Sequence, residues 1–223
     1  MHDLAWKFCQ RAGDCAIDAG RARAFGHLRR LDLVMQEIVD PVIRGMAAEG
    51  RPFRGFLYVG LMLTSNGPKV IEFNVRLGDP EAQVILPLID EPLLPLLVAA
   101  ATGELRQPSC RVQTDRLVGV VIASRGYPES TSTGQTIVGL DGAERIAGVS
   151  VYHSGTTRRD DGQIVTAGGR VLTVVGRGPD FAEAMSRAYA GVLQISFDGM
   201  QYRRDIGTKA LRAEPIYHQG HKG

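Results

Sequence analysis

Glu72, Asn74 and Arg76 are the residues whose types and spacing point most directly to chemistry. They alternate with apolar residues over 71–77, and alternate residues of a β-strand share one face. We therefore expect a single row, with about 6.6 Å between neighbours from a rise of about 3.3 Å per residue. A carboxylate beside an amide oxygen suits Mg²⁺, which shares its oxygen ligands with substrate phosphates, and a guanidinium can pair with a phosphate oxygen. The row is a candidate face for a metal ion and a phosphate.

The same alternation is also typical of an ordinary half-buried strand. In that interpretation the polar row is a solvated outer face that binds no ligand. Both interpretations place the intervening apolar side chains in a core, namely Ile71, Phe73, Val75 and Leu77. Alternation alone favours the solvated outer face, because half-buried strands commonly have this pattern, and the metal-and-phosphate face stays open as the alternative.

Two further carboxylates follow directly in the turn Gly78-Asp79-Pro80-Glu81. This order is typical of a helix start, because Asp79 can cap the helix, Pro80 fits its first position and Glu81 complements its dipole. Such a role would explain the turn without any ligand.

Local patterns predict the elements that carry these residues. Two apolar runs flank Ser65-Asn66-Gly67-Pro68, whose residues favour a tight turn, so residues 55–77 are predicted to form a β-hairpin. Helices are expected on both sides of it: one over 31–49 that kinks at Pro41 and ends at Gly50, and two near 80–90 and 92–103.

A polar stretch over 102–115 marks the expected end of this region, and strands alternate with turns after it. The later elements are predicted as strands over 117–124, 148–155 and 170–178, a turn at 160–162, a helix over 180–193, and a short strand and helix within 199–212.

The 223-residue chain has 26 Lys+Arg against 24 Asp+Glu, a formal net charge of +2. Hydrophobic and charged fractions of 44% and 22% exclude a disordered chain and a polycationic nucleic-acid arm. The longest apolar stretch is too short to cross a bilayer, and acidic residues near the N-terminus argue against a targeting peptide. Three cysteines without a CxxC spacing favour a reducing compartment. We therefore expect a cytoplasmic protein that binds neither membranes nor nucleic acid.

The run GFLYVGLMLTSNGPKVIEFNVRLGDPEAQ closely resembles the glycinamide ribonucleotide synthetase (phosphoribosylamine–glycine ligase) family, whose members have the ATP-grasp fold. The resemblance extends from Leu33 to Leu211. It includes MQEIVDPVIRGMAAEG upstream and LVGVVIASRGYPES, VYHSGT, TAGGRVLTVVG and YRRDIGTKAL downstream. The motif IEFNxRxGDPE is specific, and its agreement with the C-terminal motifs argues against chance similarity.

The resemblance implies an α+β (α/β) chain with two parts. Residues 31–103 would be the distal part of an ATP-grasp large lobe, and residues 115–212 a small, β-rich C-terminal subdomain. Residues 1–30 are interpreted as an unrecognised leader and residues 213–223 as a tail.

The resemblance also implies ATP-dependent ligation of glycine to 5-phosphoribosylamine, which gives glycinamide ribonucleotide, ADP and phosphate in de novo purine synthesis. Glu72 and Asn74 would bind the Mg²⁺ or Mn²⁺ that bridges the ATP phosphates. Arg76 would steady the phosphate or the acyl phosphate intermediate. Asp79 and Glu81 would stand at the mouth of the same site, near glycine and the amine substrate.

The chain departs from the family pattern before Leu33. The family's substrate domain and small ATP-grasp lobe should precede that residue, but the residues there resemble neither, and residues 1–50 contain no glycine-rich phosphate loop. We therefore expect an N-terminally truncated chain that is inactive alone and whose partners would include a missing N-terminal half. Two alternatives stay open: another ATP-grasp carboxylate–amine ligase, and a non-catalytic remnant or half-site subunit.

Overall fold

The computed structural model describes residues 16–17, 33–64, 66–105 and 110–213. The chain divides into two compact units, one of residues 1–12 and 18–114 and one of residues 13–17 and 115–223. The first strand, β1 (Ala16–Ile17), belongs to the second unit. The predicted leader, apart from β1, and nearly all of the predicted tail lie outside the described residues.

The helix predicted over 31–49 is present from residue 33 but is not uniform. A π-helical turn, Met35–Val39, runs directly into α1 (Asp40–Ala48). Pro41 lies in the first turn of α1, and a proline has no N–H for the regular helical bond. The predicted irregularity therefore takes the form of a widened turn just before the proline.

The predicted hairpin is confirmed, and its strands are β2 (Tyr58–Thr64) and β3 (Gly67–Asn74). They pair antiparallel and form a separate two-stranded sheet. A bulge interrupts the pairing next to Gly60, and Ile71 is the additional residue on β3. The last three residues of β3, Glu72 to Asn74, therefore continue in a register of their own.

The expected burial of the apolar side of β3 is wrong for this chain. Phe73 is 42% exposed, Ile71 61% and Val75 71%, while Leu77 is half-buried. A two-stranded sheet buries a face only if a second layer covers it, and the described residues bury little of this one. Alternation predicted that Glu72 and Asn74 share a face, but not whether the apolar residues of this segment have a core to enter.

The two helices predicted after the hairpin are present with shorter bounds, as α2 (Glu81–Ile85), which continues into a 3-10 turn (Leu86–Leu88), and α3 (Leu93–Thr102). Val84 and Leu88 are fully buried and fix α2 and its extension in place. Residues 110–113 then return beside residues 88–91, where the Asp90 N–H donates to the Arg111 carbonyl at 2.8 Å.

Besides β1, the strands of the second unit are β4 (Arg116–Ala123), β5 (Val149–His153), β6 (Thr156–Arg158), β7 (Ile164–Thr166), β8 (Arg170–Gly178) and β9 (Gln201–Tyr202). The main sheet is antiparallel and has the strand order β1-β4-β8-β5, in which β9 also pairs with β4, while β6 and β7 form a separate two-stranded sheet. The three longest strands confirm the predicted ones. The small hairpin of β6 and β7 was not predicted, because strands of three residues show no alternation to detect.

The core of the second unit lies between this sheet and the helix α5 (Phe181–Gln194), with α4 (Leu140–Glu144) and α6 (Thr208–Ala213) at its margins. As the sequence predicts, Asp180 opens α5, and its carboxylate accepts a hydrogen bond from the Glu183 N–H at 2.8 Å. The helix approaches β8 at Gly176, where a Cβ atom would overlap the backbone of Ala184 and Ala188. The buried residues include Val118, Val120, Ile122, Leu172, Val174, Phe181, Ala184, Ala188 and Val192.

No helix within the described ranges has the length and apolar content needed to cross a membrane. A helix needs about 20 consecutive apolar residues to cross a bilayer core, whereas α5 is 14 residues long in total and includes charged ones.

Candidate functional site

Glu72 and Asn74 share one face of β3. Glu72 lies opposite Gly60 and Asn74 opposite Tyr58, in one continuous register, so both side chains project to the side away from Phe73. A Cβ atom at Gly60 would lie only 3.0 Å from Cγ of Glu72. Because residue 60 is a glycine, the Glu72 side chain has room to pass over it.

This pair fits part of the shell of a hard divalent cation, because a carboxylate and an amide oxygen are the donors that Mg²⁺ prefers. Within the part of the chain that the structure describes, no three or more His, Cys, Asp or Glu side chains gather into a metal site.

The expectation that Arg76 continues the row along the strand is wrong. β3 ends at Asn74, and Arg76 lies beyond it in a bend. Asn74 pairs with Tyr58, the first residue of β2, so the partner strand does not extend far enough to keep residues 75–77 extended. The exposed Arg76 guanidinium donates to the Leu77 carbonyl at 3.0 Å.

The predicted helix cap at Asp79 is also wrong. Pro80 occupies the cap position after a cis Asp79–Pro80 peptide, and no side chain caps α2. Oδ1 of Asp79 instead accepts a hydrogen bond from Nε2 of Gln83 at 2.9 Å. A side-chain amide one turn along the chain takes the place of the backbone N–H groups that a capping aspartate would bind.

Glu81 folds back over Gly78. The Ala82 N–H donates to the Gly78 carbonyl at 2.9 Å and closes the turn. A Cβ atom at residue 78 would overlap Oε2 of Glu81, so the carboxylate occupies space that only a glycine leaves open. The structure thus brings Asp79 and Glu81 together in one tight turn that follows the polar face of β3.

Gln83 was not singled out by sequence reasoning, although it is bonded to this turn. The available signal was its place four residues after Asp79, the spacing at which side chains meet along a helix. That signal is weak when the first of the two residues lies before the helix begins.

Elsewhere in the first unit, Cys110 lies beside an acidic residue. Burial is the main cause that raises the pKa of its thiol from the ordinary 9.0 to about 11, and the hydrogen bond and charge of Glu91 add to it. Arg111 opposes the shift, while its own N–H donates to Glu91 at 2.7 Å. The thiol is therefore a poor nucleophile at neutral pH.

In the second unit, the hydroxyl of Tyr189 ties α5 to the segment before α6. It donates to the Arg203 carbonyl at 2.9 Å and accepts from the Ile206 N–H at 3.0 Å. Burial is the largest cause that raises the pKa of this phenol above its ordinary 10.

Solved structures of low identity show the fold of the chain. N5-carboxyaminoimidazole ribonucleotide synthetase from Thermotoga maritima matches with a TM-score of 0.52 at 16% identity, over 76% of this chain and 42% of that one. The biotin carboxylase domain of a thermophilic 2-oxoglutarate carboxylase matches with a TM-score of 0.53 at 14% identity, over 81% and 42%. Together with a family model described as an ATP-grasp domain, which matches residues 24–82, they place the chain in the ATP-grasp class.

Matches of higher identity narrow this class to one family. The models for the phosphoribosylglycinamide synthetase ATP-grasp and C domains match residues 24–82 and 117–209. Phosphoribosylamine–glycine ligase from Neisseria meningitidis serogroup A is 47% identical over 178 residues, and the chloroplastic ligase of Arabidopsis thaliana is 46% identical over 188. A solved ligase from Thermotoga maritima has a TM-score of 0.68 at 35% identity, over 80% of this chain and 42% of that one. The chain belongs to the phosphoribosylglycinamide synthetase family.

The chain spans less than half the length of these relatives. The matches cover 79% and 83% of this chain, but 42% of the Neisseria ligase and 35% of the Arabidopsis ligase.

Proposed function

We propose that this chain supplies the metal-binding strand and the C-terminal unit of a phosphoribosylamine–glycine ligase. The observation that carries the proposal is the polar face of β3 followed by the turn 78–81, in a chain that belongs to this family. The substrates would be ATP, glycine and 5-phosphoribosylamine, and the products glycinamide ribonucleotide, ADP and phosphate. Among the alternatives, another ATP-grasp ligase has less support, because such proteins match at 13–18% identity against 35% for the solved ligase.

The proposed reaction has two steps. A glycine carboxylate oxygen bonds to the γ-phosphorus of ATP, the bond to the ADP oxygen breaks, and glycyl phosphate forms. The amine of phosphoribosylamine then bonds to the glycyl carbonyl carbon, phosphate leaves with the electrons of the broken C–O bond, and the nitrogen loses a proton. Both steps need the phosphate charge neutralised and water excluded.

Each residue of the site has a role that its place supports. Glu72 and Asn74 would hold Mg²⁺ or Mn²⁺, which neutralises charge on the ATP phosphates when bound. Arg76, exposed beyond the strand, would contact a phosphate oxygen through its guanidinium. Asp79 and Glu81 would face glycine and the amine, where a carboxylate can orient an ammonium group.

The proposal also assigns a domain to each of the two main parts of the chain. Residues 31–103 would be the distal part of the ATP-grasp large lobe and residues 115–212 the C-terminal subdomain, in a cytoplasmic enzyme. Under the half-site alternative, the active enzyme needs a second polypeptide that supplies the part of the Neisseria ligase that this chain does not match.

The test is an assay of ADP release that requires both glycine and phosphoribosylamine. The purified chain is measured alone and after mixing with the part of the Neisseria ligase that this chain does not match. We expect turnover only in the mixture. Turnover by the chain alone at ordinary enzyme rates, roughly 1–10³ s⁻¹, would contradict the need for a second part. If ADP release in the mixture did not depend on glycine, the ligase assignment itself would be contradicted.

A further inference from the structure

Gln83 is bonded to the candidate site but has no role in the function proposed so far. We infer that Gln83 is a positioning residue that fixes the Asp79 carboxylate at the turn before α2. The inference rests on the proposed function, since it takes Asp79 as a group that faces a substrate. It assigns the task of orienting that group to a side chain behind it.

The orientation of the Gln83 amide is determined by chemistry. Nε2 lies 2.9 Å from Oδ1 of Asp79, and an N–H is the only amide group that can bond to a carboxylate oxygen. The reversed amide would set Oε1 against Oδ1, two acceptors at hydrogen-bond distance. Gln83 therefore acts on Asp79 as a donor.

The other end of the same amide has no partner. Oε1 of Gln83 is buried and accepts no hydrogen bond from any residue that the structure describes. A buried acceptor without a donor lowers stability relative to an apolar atom in the same place. If position 83 were needed only for packing, methionine would give a more stable fold. We therefore attribute the role of the amide to its Nε2 group, which binds Asp79.

The helix α2, which carries Gln83, is held in place by buried side chains. Val84, the next residue of α2, is 0% exposed, and Leu88 in the following turn is 1% exposed. Their burial fixes the helix, so the Gln83 side chain starts from a set position and its bond to Oδ1 limits the directions that the carboxylate can take. Preorganised side chains of this kind matter because small displacements of a reacting group reduce rates strongly.

The test compares Q83M, Q83E and a packing control outside the proposed site, V192A, in the buried core of the second unit. In the mixed ligase assay, Q83M should lower kcat/KM by on the order of 10-fold to 100-fold. In the chain alone, its thermal unfolding midpoint should equal or exceed that of the parent. V192A should do the reverse, with a lower midpoint and unchanged kcat/KM at a temperature where it is folded.

The pH dependence of Q83E activity is a measurement that a change in packing alone would not alter. Two ionised carboxylates repel at neutral pH, but the introduced carboxyl group, once protonated, can donate to Asp79. The activity of Q83E relative to the parent should therefore rise as the pH falls from about 8 to about 6.

Two results would overturn the inference while leaving the ligase assignment intact: full activity of Q83M, or a loss of activity that tracks a lower midpoint. If the parent mixture makes no product, the proposed function fails instead. The contact between Gln83 and Asp79 can still be tested by unfolding of the chain alone. Q83M and D79N should then shift the unfolding midpoint non-additively, and strict additivity would refute the positioning role.

Discussion

Oε2 of Glu81 occupies the position that a side chain at Gly78 would take. The carboxylate can therefore lie there only because residue 78 has no side chain. Gly176 is a second close approach, but there the atoms in the way belong to the backbone of α5. The two glycines predict opposite outcomes for the same substitution.

Gly78→Ala should displace Glu81 without unfolding the chain. A carboxylate at the end of a flexible side chain can swing away, so we expect the free energy of unfolding to stay within about 1 kcal/mol of the parent. Ligase activity in the mixture should fall about as much as in Glu81→Ala. Gly176→Ala should instead lower the free energy of unfolding by about 1–3 kcal/mol or more, because backbone must move. Denaturant unfolding measures both, and equal losses of stability would contradict the prediction.

Glu72→Gln should abolish metal-dependent ligation while the fold is retained. The substitution removes one anionic oxygen, and loss of such stabilisation typically reduces the rate on the order of 10²-fold or more. The measurement is ligase turnover at limiting Mg²⁺ in the mixture. The matched control is Glu129→Gln, the same change at an exposed position outside the proposed site, which should leave turnover unchanged. Activity of Glu72→Gln within a few-fold of the control would remove Glu72 from the site.

Tyr189→Phe should destabilise the second unit. It removes the acceptor of the buried Ile206 N–H and the donor to the Arg203 carbonyl, and one unmade buried hydrogen bond costs about 1–3 kcal/mol. The fold also raises the pKa of the Tyr189 phenol, chiefly through burial, with a contribution from Asp205. The folded state thus favours the protonated phenol, and this stabilisation is complete below the unfolded pKa of about 10 and lost as the pH rises through the higher folded value.

The corresponding measurement is denaturant unfolding of parent and Tyr189→Phe on both sides of pH 10. The difference in stability between them should shrink at alkaline pH. A difference that grows there would show that the sign of the pKa effect is wrong.

Cys110 should react slowly with iodoacetamide. Its pKa of about 11 against an ordinary 9.0 reduces the thiolate fraction at pH 8, so alkylation should be roughly 100-fold slower than for an unperturbed thiol. Glu91→Gln should recover part of the rate and concentrated urea all of it, because burial is the larger cause. Peptide mapping by mass spectrometry separates Cys110 from Cys9 and Cys15, and rapid labelling of the folded chain would contradict the prediction.

Elements with local signals could be predicted closely from the sequence. The strand expected over 170–178 is observed as Arg170–Gly178, because a continuous apolar run ends at glycine on both sides. The helix expected over 180–193 is observed as Phe181–Gln194, since Asp180 caps it and its apolar residues repeat at helical spacing. In both cases the information lies within a few residues of the element.

The errors arose where a residue other than the immediate neighbours decides the outcome. Phe73 alternates like a core residue, but its exposure depends on a covering layer. Arg76 leaves the row because β2 begins at Tyr58 and supplies no further partner. Asp79 has the form of a helix cap, yet the amide of Gln83 binds its carboxylate instead. None of these three facts can be read from the residue's immediate neighbours.

The short strands β1 and β9 come from opposite ends of the chain and both pair with β4. The pairs are Ala16 with Val118 and Ile17 with Leu117, and Gln201 with Ala123 and Tyr202 with Ile122. An open edge on a long apolar strand is a template for intermolecular β-pairing and fibril growth. β4 is such a strand: β8 pairs along one of its edges, and the two short strands pair near the two ends of the other. Proteolytic loss of either short strand would therefore expose the second unit to aggregation long before it disturbed the core.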